Sequence, residues 1–408
     1  MNDRIEITIE RLGHQGDGIA SGPYFAPLTL PGERISGKLE DRKLTDIKIL
    51  EPSPLRVAAS CKHYRSCGGC ALQHIKDDFV ASWKLDVVKA ALAAKGLTSE
   101  FRPIETSLEH SRRRATFSAK RTKKGVLTGF HARASETIIA IEDCAVVSPD
   151  ILAILPKLDA LALIGASRKG ELTIQVTKST AGLDVAVTEG KPIDTAMQVE
   201  LAALAEAAGL ARLSWNGDVV VARHNPYQSM GDARVTPPPG AFLQATEHGE
   251  QVLVTAVKEI VGSAKRIVDL FSGCGTFSLP LAKTAEIHAV EGDPAMISAL
   301  DKAWRETVGL KKLSSESRDL FRRPLMPDEL NRFEAAIIDP PRAGAEAQIE
   351  HIAASALTRL AMVSCNPVTF ARDAAVLVSA GFSLDWVQTV DQFRWSTHVE
   401  LVASFTRL

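Results

Sequence analysis

Three groups of residues in this chain of 408 have types and spacings that can do chemistry. The first is a set of thiols. Cys61, Cys67 and Cys70 are spaced C-x5-C-x2-C, and Cys144 lies further along. A C-x-x-C pair on a tight turn aims both sulfurs to one side, and Gly68-Gly69 supplies that turn. Three clustered thiols and one distant thiol make a four-thiolate site, suited to zinc or to an iron–sulfur cluster. The second group begins at Asp269-Leu-Phe-Ser-Gly-Cys-Gly-Thr276, a glycine-bearing turn between a strand and a helix. Glu291 closes the next strand, at the spacing from which a carboxylate accepts hydrogen bonds from ribose hydroxyls, and Asp319 follows at the next crest. Either acid alone would serve equally as a helix N-cap; the series favours a nucleoside cofactor. Position 278 is Ser, so the third glycine of a dinucleotide fingerprint is missing and S-adenosylmethionine is favoured over NAD. The third group pairs Asp339-Pro-Pro-Arg-Ala-Gly344 with Ser364-Cys365-Asn366-Pro367. Cys365 sits in a polar, turn-forming context where a thiol can be reached and activated.

These groups need a scaffold that brings them together. From Ala241 onward, near-continuous apolar runs at 266–270, 286–290, 335–339 and 360–364 alternate with helical segments. That pattern predicts an α/β, mainly parallel, doubly wound sheet, with ligands at the carboxyl ends of its strands. Residues 56–235 read as a mixed α/β unit holding the thiols, with a helix over 79–95 and a hairpin of 173–177 with 183–187. Thr236-Pro-Pro-Pro-Gly240 is the expected linker. Residues 1–55, with alternating Ile5, Ile7 and Ile9 and frequent glycine, predict a small β-barrel.

Several of these motifs resemble known ones. Leu12-Gly-His-Gln-Gly-Asp-Gly-Ile-Ala20 with Leu30-Pro-Gly-Glu33 resembles the TRAM domain, an OB-like RNA-binding barrel. The Asp339–Gly344 and Val363–Thr369 motifs resemble the signature of the uracil-C5 RNA methyltransferase family. A second signature spans Asp391-Gln-Phe-Arg-Trp-Ser-Thr-His-Val-Glu400. Here Arg394 replaces the family's proline, Trp395 its His, Gln or Tyr, and Met362 its usual aromatic. Gly240-Ala-Phe-Leu-Gln244 is similar to the family's Phe-x-Gln element, whose following asparagine is lost near Thr246. The resemblance covers nearly the whole chain. It implies a class I methyltransferase domain over 236–408, with Cys365 as nucleophile and Glu400 as general base. It also implies Gln244, Phe271, Thr276, Glu291, Asp319 and Asp339 around S-adenosylmethionine, and a [4Fe–4S] cluster on Cys61, Cys67, Cys70 and Cys144. The expected partner is RNA, 23S ribosomal RNA in preference to transfer RNA.

Charge agrees with a local rather than a global nucleic-acid face. The formal net charge is −1, which excludes binding by bulk charge. Yet 111–124 carries Arg112, Arg113, Arg114, Lys120, Arg121, Lys123 and Lys124 with no acid, a candidate phosphate-binding surface. With no apolar stretch of membrane length and no secretory pattern at Met1–Arg4, a cytoplasmic monomer is expected.

Overall fold

A computed structural model describes residues 4–407, so Met1–Asp3 of the N-terminal reading lie outside the described residues. The N-terminal unit is a curled six-stranded sheet. Its order is Arg4–Thr8, Arg34–Glu40, Lys43–Glu51, Tyr24–Ala26, Gly18–Ala20, Arg11–Leu12. Its core is small: Ile9, Ala20, Ala26, Ile35 and Leu44. Glu33 is buried beneath it, and burial alone would raise its pKa. Arg56 and the backbone N–H groups of Leu30 and Ser53 reverse that, tying the sheet to the chain that follows.

The central unit is a seven-stranded sheet from Arg114–Thr122 to Asp218–Ala222, covered by helices Pro149–Gly165 and Thr195–Ala208. The expected hairpin is there, Glu171–Ser179 against Gly182–Thr188. The C-terminal sheet has eight strands. Leu313–Ser317, Glu286–Glu291, Arg266–Leu270, Ala335–Ile338 and Arg359–Ser364 run parallel, then Glu400–Thr406 inserts antiparallel beside Ser383–Asp391. Two apolar cores, one on each face, explain why the inner parallel strands read as near-continuous hydrophobic runs, unlike the polar edge strand Leu313–Ser317. The chain order reverses between Glu286–Glu291 and Ala335–Ile338, on either side of Arg266–Leu270. The glycine turn therefore leaves the sheet at its switch point, where open α/β sheets bind ligands.

The segment 77–106, expected in the central unit, packs with the C-terminal one. Strand Glu100–Thr106 is the eighth strand of its sheet, parallel to Ser383–Asp391. Helix Asp77–Ala93 places Val88 and Leu92 in the C-terminal core. Among the described residues, no helix is long and apolar enough to cross a membrane.

Candidate active site

The turn after Arg266–Leu270 is built on backbone strain. Phe271 has φ +60°, a conformation that costs a non-glycine residue about 1–3 kcal/mol and clusters at functional sites. Its ring lies 5.4 Å from that of Phe321. Glu291 Oε2 accepts from Gly273 N at 3.0 Å and Oε1 from Asp293 N at 3.0 Å, so this carboxylate clamps the turn. Asp269 Oδ2 accepts from Ser278 Oγ at 2.6 Å. Asp269 Oδ1 and Ser272 Oγ are buried without partners, leaving hydrogen-bonding capacity for a ligand. Asp319 Oδ1 accepts from Phe321 N (3.0 Å) and Arg322 N (3.3 Å), holding a turn rather than capping a helix. Thr276 faces a neighbouring cavity of about 720 Å3, with Glu250 and Gln251.

Cys365 ends strand Arg359–Ser364. Ser364 pairs with Leu401, so the next step of the ladder brings Cys365 to Glu400. Asn366 caps the following helix, Pro367–Ser379, through Val368 N, and its amide donates to Arg342 O at 2.9 Å. Thr369 Oγ1 donates to the same carbonyl. The two family-like motifs thus lock to each other. Gly344, at φ +77°, takes a left-handed conformation that strains any side chain, and a Cβ there would have to displace the Arg372 guanidinium, 2.5 Å away. Burial, then the charges of Glu400 and Asp339, push the Cys365 thiol up to about 11, against the pull of Arg342. Burial and Asp269 push Asp339 up to about 7; burial and Asp339 push Glu400 well above the usual carboxylate range. Acids crowded this way cannot all ionise, and at least one holds a proton near neutral pH.

The Cys365 cleft has a volume of about 630 Å3. Arg342 and His398 share its wall, with Arg342 Nη2 2.6 Å from His398 Nδ1. Arg11, Leu12, His14 and Gln15 of the N-terminal sheet form the opposite wall.

Comparison with known proteins identifies the scaffold. Residues 233–407 match the family model described as tRNA (Uracil-5-)-methyltransferase. An uncharacterized RNA methyltransferase of Rhizobium meliloti is 44% identical over 410 residues, covering 98% of this chain and 99% of that protein. The 23S rRNA (uracil(1939)-C(5))-methyltransferase RlmD of Vibrio cholerae is 30% identical over 434 residues, covering 98% and 95%. The chain belongs to the uracil-C5 RNA methyltransferase family. It is an S-adenosylmethionine-dependent RNA (uracil-C5) methyltransferase. The crystal structure of the Pyrococcus abyssi tRNA (uracil-54, C5)-methyltransferase with S-adenosyl-L-homocysteine shares the fold over 98% of this chain and 99% of that one, with TM-score 0.77 at 23% identity.

In this methyltransferase the two departures from the second signature have a structural reason. Arg394 Nη2 and Trp395 Nε1 both bond Asp77, at 2.7 and 3.0 Å, at the start of helix Asp77–Ala93. Trp395, at φ +58°, turns its carbonyl to the backbone N–H groups of Ala71 and Leu72, just past Cys70. Proline at 394 could not make the first bond. Further up the helix, fully buried Lys84 pairs with Asp391 at 2.5 Å and donates to Phe393 O at 3.1 Å. Sequence reasoning missed Lys84; the available signal was a cation in the apolar stripe Val80, Lys84, Val88. It also gave no role to Gln392, which bonds both Gln244 and Glu400. Thr246, at the lost asparagine, caps helix Glu247–Val261 through Gly249 N.

Cys61, Cys67, Cys70 and Cys144 line one cavity of about 420 Å3 and are all free thiols. Gly68 is required there: a Cβ would meet His131 O at 2.8 Å. Gly69 N points at Cys67 Sγ, 3.4 Å away. Burial pushes Cys70 up to about 12 and raises Cys67 and Cys144, and the thiols raise one another further. Among the described residues, no three His, Cys, Asp or Glu side chains are arranged to close on a single ion.

The basic stretch divides. Arg112 lines the cysteine cavity, buried enough that its pKa is lowered. Arg113 ion-pairs with buried Glu250 and donates to Gln244 O at 3.1 Å. Arg114 stacks on Phe242, 4.9 Å from the ring centre. These three position the Gln244 loop and the cysteine cavity rather than facing solvent. Arg121, Lys123 and Lys124, at the tip of the hairpin Arg114–Thr122/Gly125–His131, are the exposed cations.

Proposed function

We propose that this enzyme makes 5-methyluridine in 23S ribosomal RNA by covalent catalysis at Cys365. The observation that carries this reading is the meeting of Cys365, Glu400 and Asp339 at one strand edge. Carbon 5 of uracil is a poor nucleophile. Addition of the Cys365 thiolate to carbon 6 breaks the carbon 5–carbon 6 double bond and leaves an enolate with carbanion character at carbon 5. Carbon 5 takes the methyl group of S-adenosylmethionine, with S-adenosylhomocysteine as leaving group. Glu400 removes the carbon 5 proton, the double bond reforms, and the thiolate is expelled. A base with a raised pKa suits that last proton transfer. The target uridine is unpaired or flipped out, since carbon 6 is otherwise inside the base stack.

Gln244, Phe271, Glu291, Asp319 and Asp339 hold the methyl donor, with Thr276 at the margin of the site. The unpartnered Asp269 Oδ1 and Ser272 Oγ support that fit. The N-terminal unit, residues 1–55, is a TRAM-like RNA holder, supported by Arg11–Gln15 on the cleft wall. The four cysteines suit a [4Fe–4S] cluster better than one zinc ion. They line one cavity of about 420 Å3, and an N–H donor already faces one sulfur. A cluster held by the four cysteines would order the loop 61–72, whose Ala71 and Leu72 N–H groups donate to the Trp395 carbonyl. The preference for 23S RNA rests on the cysteine pattern and on the likeness to the Vibrio enzyme. Mapping 5-methyluridine in ribosomal and transfer RNA from a deletion strain tests it: loss at one 23S uridine is expected, and loss from transfer RNA alone would refute it.

A further inference from the structure

We propose that Gln392 is a positioning residue that fixes the hydrogen-bond polarity of the two acids flanking the reaction, Glu400 and Asp339. The proposal rests on the assignment of Glu400 as base. Side-chain amides can be turned either way, so their orientation needs an anchor that cannot flip. The backbone N–H of Ala245 is that anchor. It can only donate, and it points at Gln392 Oε1 at 2.7 Å. The other end of the Gln392 amide is therefore the NH2 group. Its two hydrogens reach Glu400 Oε2 at 2.9 Å and Gln244 Oε1 at 2.6 Å. With its oxygen so engaged, Gln244 must present its own NH2, which faces Asp339 Oδ2 at 3.3 Å.

A single backbone N–H thus dictates donors toward both carboxyls, through two amides that are each only 2% exposed. Two functional consequences follow. Glu400 Oε2 is held as an acceptor, which leaves Oε1 to take the carbon 5 proton. A donor on Glu400 also favours its charged form, opposing the burial that raises its pKa, and so keeps a fraction of it competent as a base. Gln392 is well placed for this because the antiparallel insertion of Glu400–Thr406 beside Ser383–Asp391 pairs Val390 with Glu400, which leaves Gln392, two residues on, beside the base.

The test is the pH dependence of turnover in Gln392→Met, a variant of similar volume with no donor. The expected result is an acid limb of kcat moved to higher pH, a several-fold loss at pH 7 that shrinks as pH rises, and a covalent protein–RNA adduct that wild type does not accumulate. S-adenosylmethionine affinity should change little. Gln244→Met removes the Asp339 branch and the Gln244–Gln392 bond but leaves the Ala245 anchor on Gln392, so it should lower methyl-donor affinity while the acid limb stays in place. A pH-independent loss in Gln392→Met, or a wild-type profile without adduct, overturns the proposal. Glu400→Gln run in parallel separates the two claims. If it turns over normally, the base assignment falls and the proposal with it. If it traps an adduct while Gln392→Met behaves as wild type, the proposal alone falls.

Discussion

Two thiol sites stand back to back across one loop. Thr397 and His398 line both the cleft of Cys365 and the cavity of Cys61, Cys67, Cys70 and Cys144. Burial raises the pKa on both sides, so burial does not distinguish them. Their neighbours do. Cys365 has no thiol neighbour, faces acids that can move protons, and is pulled down by Arg342 and by a backbone N–H. Cys67, Cys70 and Cys144 face other thiols and Arg112, company in which burial keeps a thiol protonated unless a metal draws the proton off. A thiol's company, more than its exposure, decides whether it reacts or coordinates. The loop between the sites is anchored twice to one helix, by Asp77 at its start and by Lys84 within it.

Exchanging the sites' thiols one at a time gives the sharpest contrast. Cys365→Ala should lower methylation by about 10^4-fold or more, the scale of losing a covalent nucleophile, while keeping S-adenosylmethionine binding and iron content. Cys70→Ala should do the reverse first: anaerobically purified wild type should carry about four irons per chain, and the variant should lose them. Stoichiometric zinc in the wild type would break the comparison. Next in size is the anchor. Lys84→Met leaves Asp391 buried and unpaired and should cost about 3–5 kcal/mol in urea unfolding. An effect under about 1 kcal/mol would show that the loop is held elsewhere.

These two predictions draw on parts of the molecule that differ in legibility. The inner parallel strands were readable because burial on both faces makes them mostly apolar, as in Ala335–Ile338, whereas the edge strand Leu313–Ser317 is polar and half exposed and gave no such run. The C-x5-C-x2-C spacing and distant Cys144 were legible as one group, and they do line one cavity, whereas Cys365 was marked by its turn and its motif rather than by spacing. Glu100–Thr106 was not, since its parallel partner lies almost 300 residues away and nothing local encodes that pairing. Arg112–Arg114 were misread because a run of like charges looks solvated. Only tertiary contact shows Arg113 against Glu250, Arg114 against Phe242, and Arg112 in the cysteine cavity. Gln392 and Lys84 act through partners distant in sequence, so residue type alone could not mark them.

Smaller effects sharpen the electrostatic side. Cys365 is pushed up to about 11, so it is a protonated thiol at pH 7 and its thiolate fraction rises with pH. Adduct formation should therefore accelerate between pH 7 and pH 9. Arg342→Met, which removes the cation opposing that shift, should slow it by roughly tenfold at pH 7, the effect of one pH unit on a thiolate population. A flat pH profile would argue that substrate binding supplies the thiolate. The smallest change belongs to the hairpin tip. Lys123→Ala with Lys124→Ala should weaken RNA binding a few-fold and reduce the salt slope by about one per lost phosphate contact. An unchanged slope would remove the tip from the RNA footprint.

The central claim is that one thiol forms a bond to the uracil ring and that Glu400 is needed to release it. Glu400→Gln, incubated with target RNA and S-adenosylmethionine and resolved under denaturing conditions, tests it directly. The expected result is a stable protein–RNA adduct mapped to Cys365 and carrying a methylated base. Free 5-methyluridine produced at the wild-type rate with no adduct would contradict it.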